Sequence, residues 1–105
     1  MRMPSAQEKS AIKITVKFFT TLREIVGKKE EQIELTHPIT VEALLKQLSK
    51  TYGSEFVEYV FDELGNVRGH LQFLVNGKSI TTMQGFKTKL KDSDQIAILP
   101  PVGGG

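Results

Sequence analysis

Thr40-Val41-Glu42-Ala43-Leu44-Leu45-Lys46-Gln47-Leu48-Ser49-Lys50-Thr51-Tyr52-Gly53 is the stretch on which the fold turns. Val41, Leu44, Leu45, Leu48 and Tyr52 recur at helical spacing and make one apolar stripe. Thr40, following Pro38, supplies an N-cap hydroxyl. Glu42 lies near the positive helix start, Lys46 and Lys50 lie further along, and Gly53 is the C-terminal stop. A helix with one apolar stripe has to cover something, and the segments on either side of it alternate like strands.

Upstream, Ile12-Lys13-Ile14-Thr15-Val16-Lys17-Phe18 alternates strictly, with Ile12, Ile14, Val16 and Phe18 inward by parity and Phe19 pointing the other way. Thr20 to Gly27 reads as a Thr cap, a short helical turn and a Gly stop. Gln32-Ile33-Glu34-Leu35 is a second short strand, antiparallel to the first. Downstream, Ser54 to Gly69 suggests a short amphipathic helix ending at Gly65-Asn66. Its carboxylates, Glu55, Glu58, Asp62 and Glu63, read as a solvated face, since nothing apolar flanks them to shift a pKa. His70 to Val75 is a third strand with Leu71, Phe73 and Val75 inward and Leu74 outward. Asn76-Gly77 is a hairpin signal, and Lys78-Ser79-Ile80 returns as a brief fourth strand. A loop with Gly85-Phe86 and a capping Leu90 leads to the turn Asp92-Ser93-Asp94, which resembles a calcium loop only superficially because the other ligands are missing. Ile96 to Leu99 is the final strand.

The order strand, strand, helix, strand, short strand, strand predicts an α+β fold. A mixed sheet with first and last strands parallel and central, and one main helix across one face, satisfies every apolar stripe, given right-handed crossovers. That is a β-grasp, the ubiquitin-like roll. We expect residues 1–10 to be a disordered leader, 11–99 the domain, and 100–105 an extended tail.

Composition narrows the function classes. The 105 residues are 39% hydrophobic and 25% charged, which fits one ordinary globular domain. Fourteen basic and 12 acidic residues leave a net charge of +2, too small and too mixed for a nucleic-acid groove. Lys28-Lys29 is cancelled at once by Glu30-Glu31. With no signal peptide and no apolar run of membrane length, the expected location is cytoplasmic, with neither a nucleic-acid nor a membrane partner. The absence of cysteine excludes disulfides, thiolate metal sites and a cysteine nucleophile. His37 and His70 are too few for a histidine metal site, and each reads as structural or surface; no metal is expected.

The end of the chain, Leu99-Pro100-Pro101-Val102-Gly103-Gly104-Gly105, carries the functional signal. Two prolines hold φ near −65° and donate nothing to a ladder, so the chain leaves the domain extended. Glycines without Cβ fit a slot too narrow for other residues. Gly-rich ends are commonly idle tails; here, however, the glycines follow a strand after three residues with no polar linker, and we read Gly105 as the native end.

Phe18-Phe19-x-x-Leu22-Arg23-Glu24-x-Val26-Gly27, Val75-Asn76-Gly77, Leu90-Lys91-Asp92-x-Asp94 and the Pro-Pro-Val-Gly-Gly-Gly end resemble the MoaD family. Those are sulfur-carrying small subunits of molybdopterin synthase, related to ThiS and to archaeal ubiquitin-like modifiers. The resemblance spans roughly residues 12–105, and the longer 53–69 stretch looks like the archaeal form. It implies a sulfur carrier with no stand-alone active site and no bound cofactor. A ubiquitin-activating-type adenylating enzyme would use ATP to convert the Gly105 carboxylate to an acyl-adenylate, and sulfur transfer would give a thiocarboxylate. The large molybdopterin synthase subunit would then receive the tail, for building a molybdenum or tungsten cofactor. A carboxylate with a pKa of about 3.5 is ionised and a poor acyl donor, so activation is needed. The chain has no Gly-x-x-x-x-Gly-Lys-Ser/Thr loop, which leaves ATP to the partner. Gly105 would carry the sulfur, Gly104 and Gly103 would fit the tunnel, and Pro100, Pro101 and Val102 would set the reach.

Parity also predicts a docking face. Phe19, Leu74 and Leu99 would share the side of the sheet opposite the helix, an exposed apolar cluster of the kind that marks a partner site, although singly exposed apolar residues are normal. Arg23, beside Phe19, would be a rim contact. Two other readings stay open: a modifier joined to lysines of target proteins through Gly105, and a plain β-grasp binding module with an idle tail.

Overall fold

The computed structural model describes residues 12–100. Strand β1 (Ile12–Phe18) is followed by the short helix α1 (Thr20–Val26) and by β2 (Glu30–Leu35). The pair is antiparallel, with Ile12 opposite Leu35 and Lys17 opposite Glu30. A two-residue strand β3 (Ile39–Thr40) runs straight into helix α2 (Val41–Tyr52), which is followed by α3 (Ser54–Val60). Strand β4 (Gln72–Val75) turns through Asn76-Gly77 into β5 (Lys78–Ser79). Two 3-10 turns, Ile80–Thr82 and Gly85–Lys87, lead to β6 (Lys89–Leu90) and finally β7 (Gln95–Leu99).

The main sheet has the order β2-β1-β7-β4-β5. β1 and β7 lie side by side and parallel, Phe18 opposite Ile98, while β4 is antiparallel to β7, Phe73 opposite Ile98. This is the mixed β-grasp sheet the sequence predicts, with first and last strands central. A second sheet, of β3 and β6 alone, is an addition to that prediction; Ile39 faces Leu90 in it. Two-residue strands carry too little alternation to be read from sequence.

α2 forms as expected. The Thr40 hydroxyl accepts a hydrogen bond from the Ala43 amide at 3.1 Å, and Gly53 ends the helix at φ 86°. Val41, Leu44, Leu45 and Leu48 are buried completely, against a core that includes Ile14, Val16, Phe18, Phe73, Ile96 and Ile98. Full burial of such a side chain is worth about 1.5–3 kcal/mol, so this stripe does most to hold helix to sheet. Tyr52 fastens the far end of the helix. Its ring packs edge-on to Phe18, with centroids 6.0 Å apart, and its hydroxyl donates to the Glu31 carboxylate.

Four local expectations are corrected. α1 has no threonine cap: Phe19, extended at φ −129° and ψ 149°, occupies the cap position without a side-chain bond. The helix after Gly53 stops at Val60 rather than at Gly65, because Phe61 turns extended and bridges to Val67. His70 lies in an exposed turn, and its strand begins at Gln72. Ile80 opens a 3-10 turn instead of extending β5. The Asp92-Ser93-Asp94 turn is held by hydrogen bonds to its own carboxylates. Asp92 accepts from the Lys13 amide at 2.8 Å, and Asp94 accepts from the Lys91 amide at 2.7 Å and from Asn76 Nδ2 at 2.9 Å.

Candidate functional site

The site is assembled where β7 ends. Since β7 runs parallel to β1 and antiparallel to β4, Leu99 emerges between the end of β1 and the start of β4, opposite Gln72. Pro100 follows and is half-buried. The proline has no N–H for a further rung, so the ladder stops there. Pro101, Val102, Gly103, Gly104 and Gly105 lie outside the described residues, as do residues 1–10.

Of the predicted docking residues, the structure brings Leu74, Leu99 and Phe19 to one face. Leu74 sits directly opposite Ala97, which places Leu99, two residues on, at the diagonal position of the same sheet face. Phe19 prolongs β1 by one extended residue, so its side chain falls on the face opposite Phe18, which is buried in the core. The expectation that these three stand exposed is corrected: all are half-buried, as is Ala97, which sits opposite Leu74 on the same face. The surface they make is a low apolar step rather than a projecting cluster. Ala97 escapes a reading of the sequence because a lone alanine in a strand carries almost no signal.

Arg23 is placed as predicted. Its guanidinium carbon lies 5.8 Å from the Phe19 ring centroid, and Nε donates to the Phe18 carbonyl at 3.3 Å. The two contacts hold a cation on the rim of the apolar step, with the ring orienting it. Between them Thr20 adopts φ 48°, a left-handed conformation that a β-branched residue avoids. That turn swings the chain from β1 into α1 while leaving Phe19 in line with the sheet. Away from this end the same face is polar: Lys13 pairs with Glu34 at 3.9 Å, and Thr15 and Lys17 stand opposite Gln32 and Glu30. The face is therefore graded, apolar around β7 and β4 at the tail end and charged over β1 and β2.

Among the described residues, no three histidine, cysteine, aspartate or glutamate side chains gather as a metal ion would require, and no helix is long and apolar enough to cross a membrane. What the arrangement offers is an apolar surface beside the end of β7, where the chain continues past Pro100. The tail would have to carry any chemistry.

Comparison with known proteins agrees with that geometry. The model of the ThiS family matches residues 16–105. Small archaeal modifier protein 3 of Haloferax volcanii is 32% identical over 94 residues, covering 90% of this chain and all of that protein. The molybdopterin synthase sulfur carrier subunit of Chlamydomonas reinhardtii is 30% identical over the same shares of the two chains. Among solved structures, small archaeal modifier protein 1 (SAMP1) of Methanosarcina acetivorans superposes with a TM-score of 0.73 at 35% identity, over 90% of this chain and 98% of that one. A chain of the Amycolatopsis orientalis BexX/CysO complex gives a TM-score of 0.69 at 25% identity, over 88% and 99%.

Proposed function

The chain belongs to the ThiS family of β-grasp proteins, and from that premise we propose that it is a sulfur carrier working through Gly105, which serves a molybdopterin synthase. The observation that carries the reading is the position of β7: a central strand, gripped on both sides, leads directly into Pro100-Pro101-Val102-Gly103-Gly104-Gly105 beside an apolar step.

An adenylating partner enzyme binds the apolar step of Phe19, Leu74 and Leu99, with Arg23 meeting an acidic group on its surface. The Gly105 carboxylate attacks the α-phosphorus of ATP held by that enzyme and releases pyrophosphate. Sulfide from the sulfur donor then attacks the acyl carbon, the acyl–oxygen bond to AMP breaks and a proton is released, leaving a thiocarboxylate. The ionised carboxylate cannot be attacked directly, and the adenylate supplies the leaving group it lacks. Gly103 and Gly104 permit entry to a narrow tunnel, while Pro100, Pro101 and Val102 keep the tip at a set distance from the fold. The tail next enters a large synthase subunit, which takes the sulfur. The BexX/CysO complex of Amycolatopsis orientalis, in which a chain of this fold is bound to another protein, supports a protein partner for this chain.

A second reading starts from the same adenylate and ends in an isopeptide bond to a lysine of a target protein. The similarity to small archaeal modifier protein 3 over the whole of that protein favours keeping it. The test is direct. The full chain is incubated with its adenylating enzyme, ATP and a sulfur donor, and its intact mass is recorded. An oxygen-for-sulfur mass gain localised to Gly105 is expected, and its absence overturns the carrier reading. Peptides joining Gly105 to lysine in cell extract would instead support the modifier reading.

A further inference from the structure

The other end of the sheet carries a basic edge that the tail chemistry does not use. Between residues 64 and 100 the cations are Arg68, Lys78, Lys87, Lys89 and Lys91, and the only carboxylates are Asp92 and Asp94. Both aspartates are occupied by neutral donors, the amides of Lys13 and Lys91 and the side chain of Asn76. Lys87 pairs with Glu42 at 3.7 Å, but Lys89 and Lys91 have no ion-pair partner among the described residues. Thr88 and Leu90 point inward and are buried, which turns Lys89 and Lys91 together toward solvent. Beside them a shallow depression of about 570 Å³ is lined by Met83, Gln84, Thr88, Lys89 and Lys91, with Met83 43% exposed. β6 pairs with β3 alone, so its other side carries no strand among the described residues.

We propose that this edge docks an extended acidic segment of a partner protein, with carboxylates at alternate positions on Lys89 and Lys91 and an apolar side chain on Met83. The spacing sets the class of ligand. Lys89 opens β6 and Lys91 follows one residue past its end; at strand pitch, positions two residues apart stand roughly 6.6 Å apart, the repeat of same-face side chains in an extended peptide. Nucleic acid fits less well. The nearby aromatic Phe86 is committed edge-on to Phe73 at 5.4 Å and is not laid flat for a base. The placement gives the edge its use. The Asp92–Asp94 turn feeds the start of β7, whereas the tail leaves from its end. A partner held at Lys89 and Lys91 leaves the Phe19, Leu74 and Leu99 face free for a second protein.

The experiment is an NMR titration of the ¹⁵N-labelled full chain with the capped peptide Glu-Val-Glu-Val-Glu-Val-Glu, and separately with an eight-residue oligothymidylate. Saturable shifts confined to residues 83–91 are expected with the peptide, weakening as salt is raised. In the doubly substituted Lys89→Glu, Lys91→Glu chain the affinity should fall at least tenfold with other resonances unmoved. Should that chain not fold, Lys89→Ala with Lys91→Ala should still lose at least threefold. Absence of peptide shifts at 83–91, tighter binding of the oligonucleotide there, or unchanged affinity in the folded variant overturns the proposal. Sulfur loading at Gly105 is read separately, so either idea can fail alone.

Discussion

Phe73 and Leu74 are neighbours on β4 with opposite fates, and exchanging each for alanine separates what folds the protein from what docks it. Phe73 is 3% exposed and edge-on to Phe86. Truncating a buried phenylalanine to alanine costs about 3–5 kcal/mol. A domain of this size has a total stability of about 5–15 kcal/mol. One kcal/mol shifts the midpoint by roughly 4–8 °C, so Phe73→Ala should lower Tm by more than about 12 °C. Leu74 is half-buried on the open face opposite Ala97, and its loss removes little core contact. Leu74→Ala should cost about 1 kcal/mol or less in stability. It should nonetheless slow adenylation by about fivefold or more, as loss of about 1 kcal/mol of interface contact predicts. Circular dichroism melts and intact-mass time courses with the adenylating enzyme measure the two effects. If Leu74→Ala melts as low as Phe73→Ala, the face is not open; if it loads at the unmodified rate, the face is not where the enzyme sits.

Other substitutions probe separate links. Thr40→Ala removes the hydroxyl that accepts from the Ala43 amide and should cost about 1 kcal/mol, visible as a lower urea midpoint. Thr20→Gly relieves the left-handed strain at φ 48° and should raise stability by about 1 kcal/mol. Burial first, then the hydrogen bond and charge of Glu31, pushes the Tyr52 phenol above its ordinary value of 10.0. A phenol raised in the folded state contributes stability that is whole below its unfolded pKa and is lost as pH climbs from there toward the folded one. The urea midpoint should therefore fall more steeply above pH 10 in the unmodified chain than in Tyr52→Phe. A bulky residue appended after Gly105 should abolish loading while leaving the melt unchanged, as measured by mass and circular dichroism.

Long elements with a strong period are legible in the amino-acid sequence alone. α2 declares itself through five apolar positions and two caps, and β1 through seven alternating residues. The parallel contact of β1 with β7 follows because two apolar strands and one helical stripe leave few other arrangements. What escapes such a reading is decided by tertiary contact. β3 and β6 are two residues each and exist because Ile39 meets Leu90. Phe19 caps α1 because Thr20 is forced into a left-handed turn, a conformation its sequence argues against. Parity puts Phe19, Leu74 and Leu99 on one sheet face but does not give their half-burial, which depends on how the neighbouring strands pack. The basic edge is hidden for a different reason: the sequence sets Asp92 and Asp94 close to Lys91, and only the fold turns those carboxylates onto backbone amides and a neutral side chain.

The position of β7 explains why a carrier of this kind gains from a fold at all. An edge strand is held by one ladder and can fray at its end. β7 is held by two, with Ile98 opposite Phe18 on one side and Phe73 on the other, and all three side chains lie in the core. Loosening Ile98 would mean loosening both neighbours at once, and Leu99 follows it opposite Gln72. The end of β7 is thereby held in position, and Pro100, with no N–H, ends the ladder there. The turn after Lys91 feeds the start of β7, and Leu99 and Pro100 lie at its other end, so that a protein gripping Lys89 and Lys91 would leave Leu99 and Pro100 uncovered.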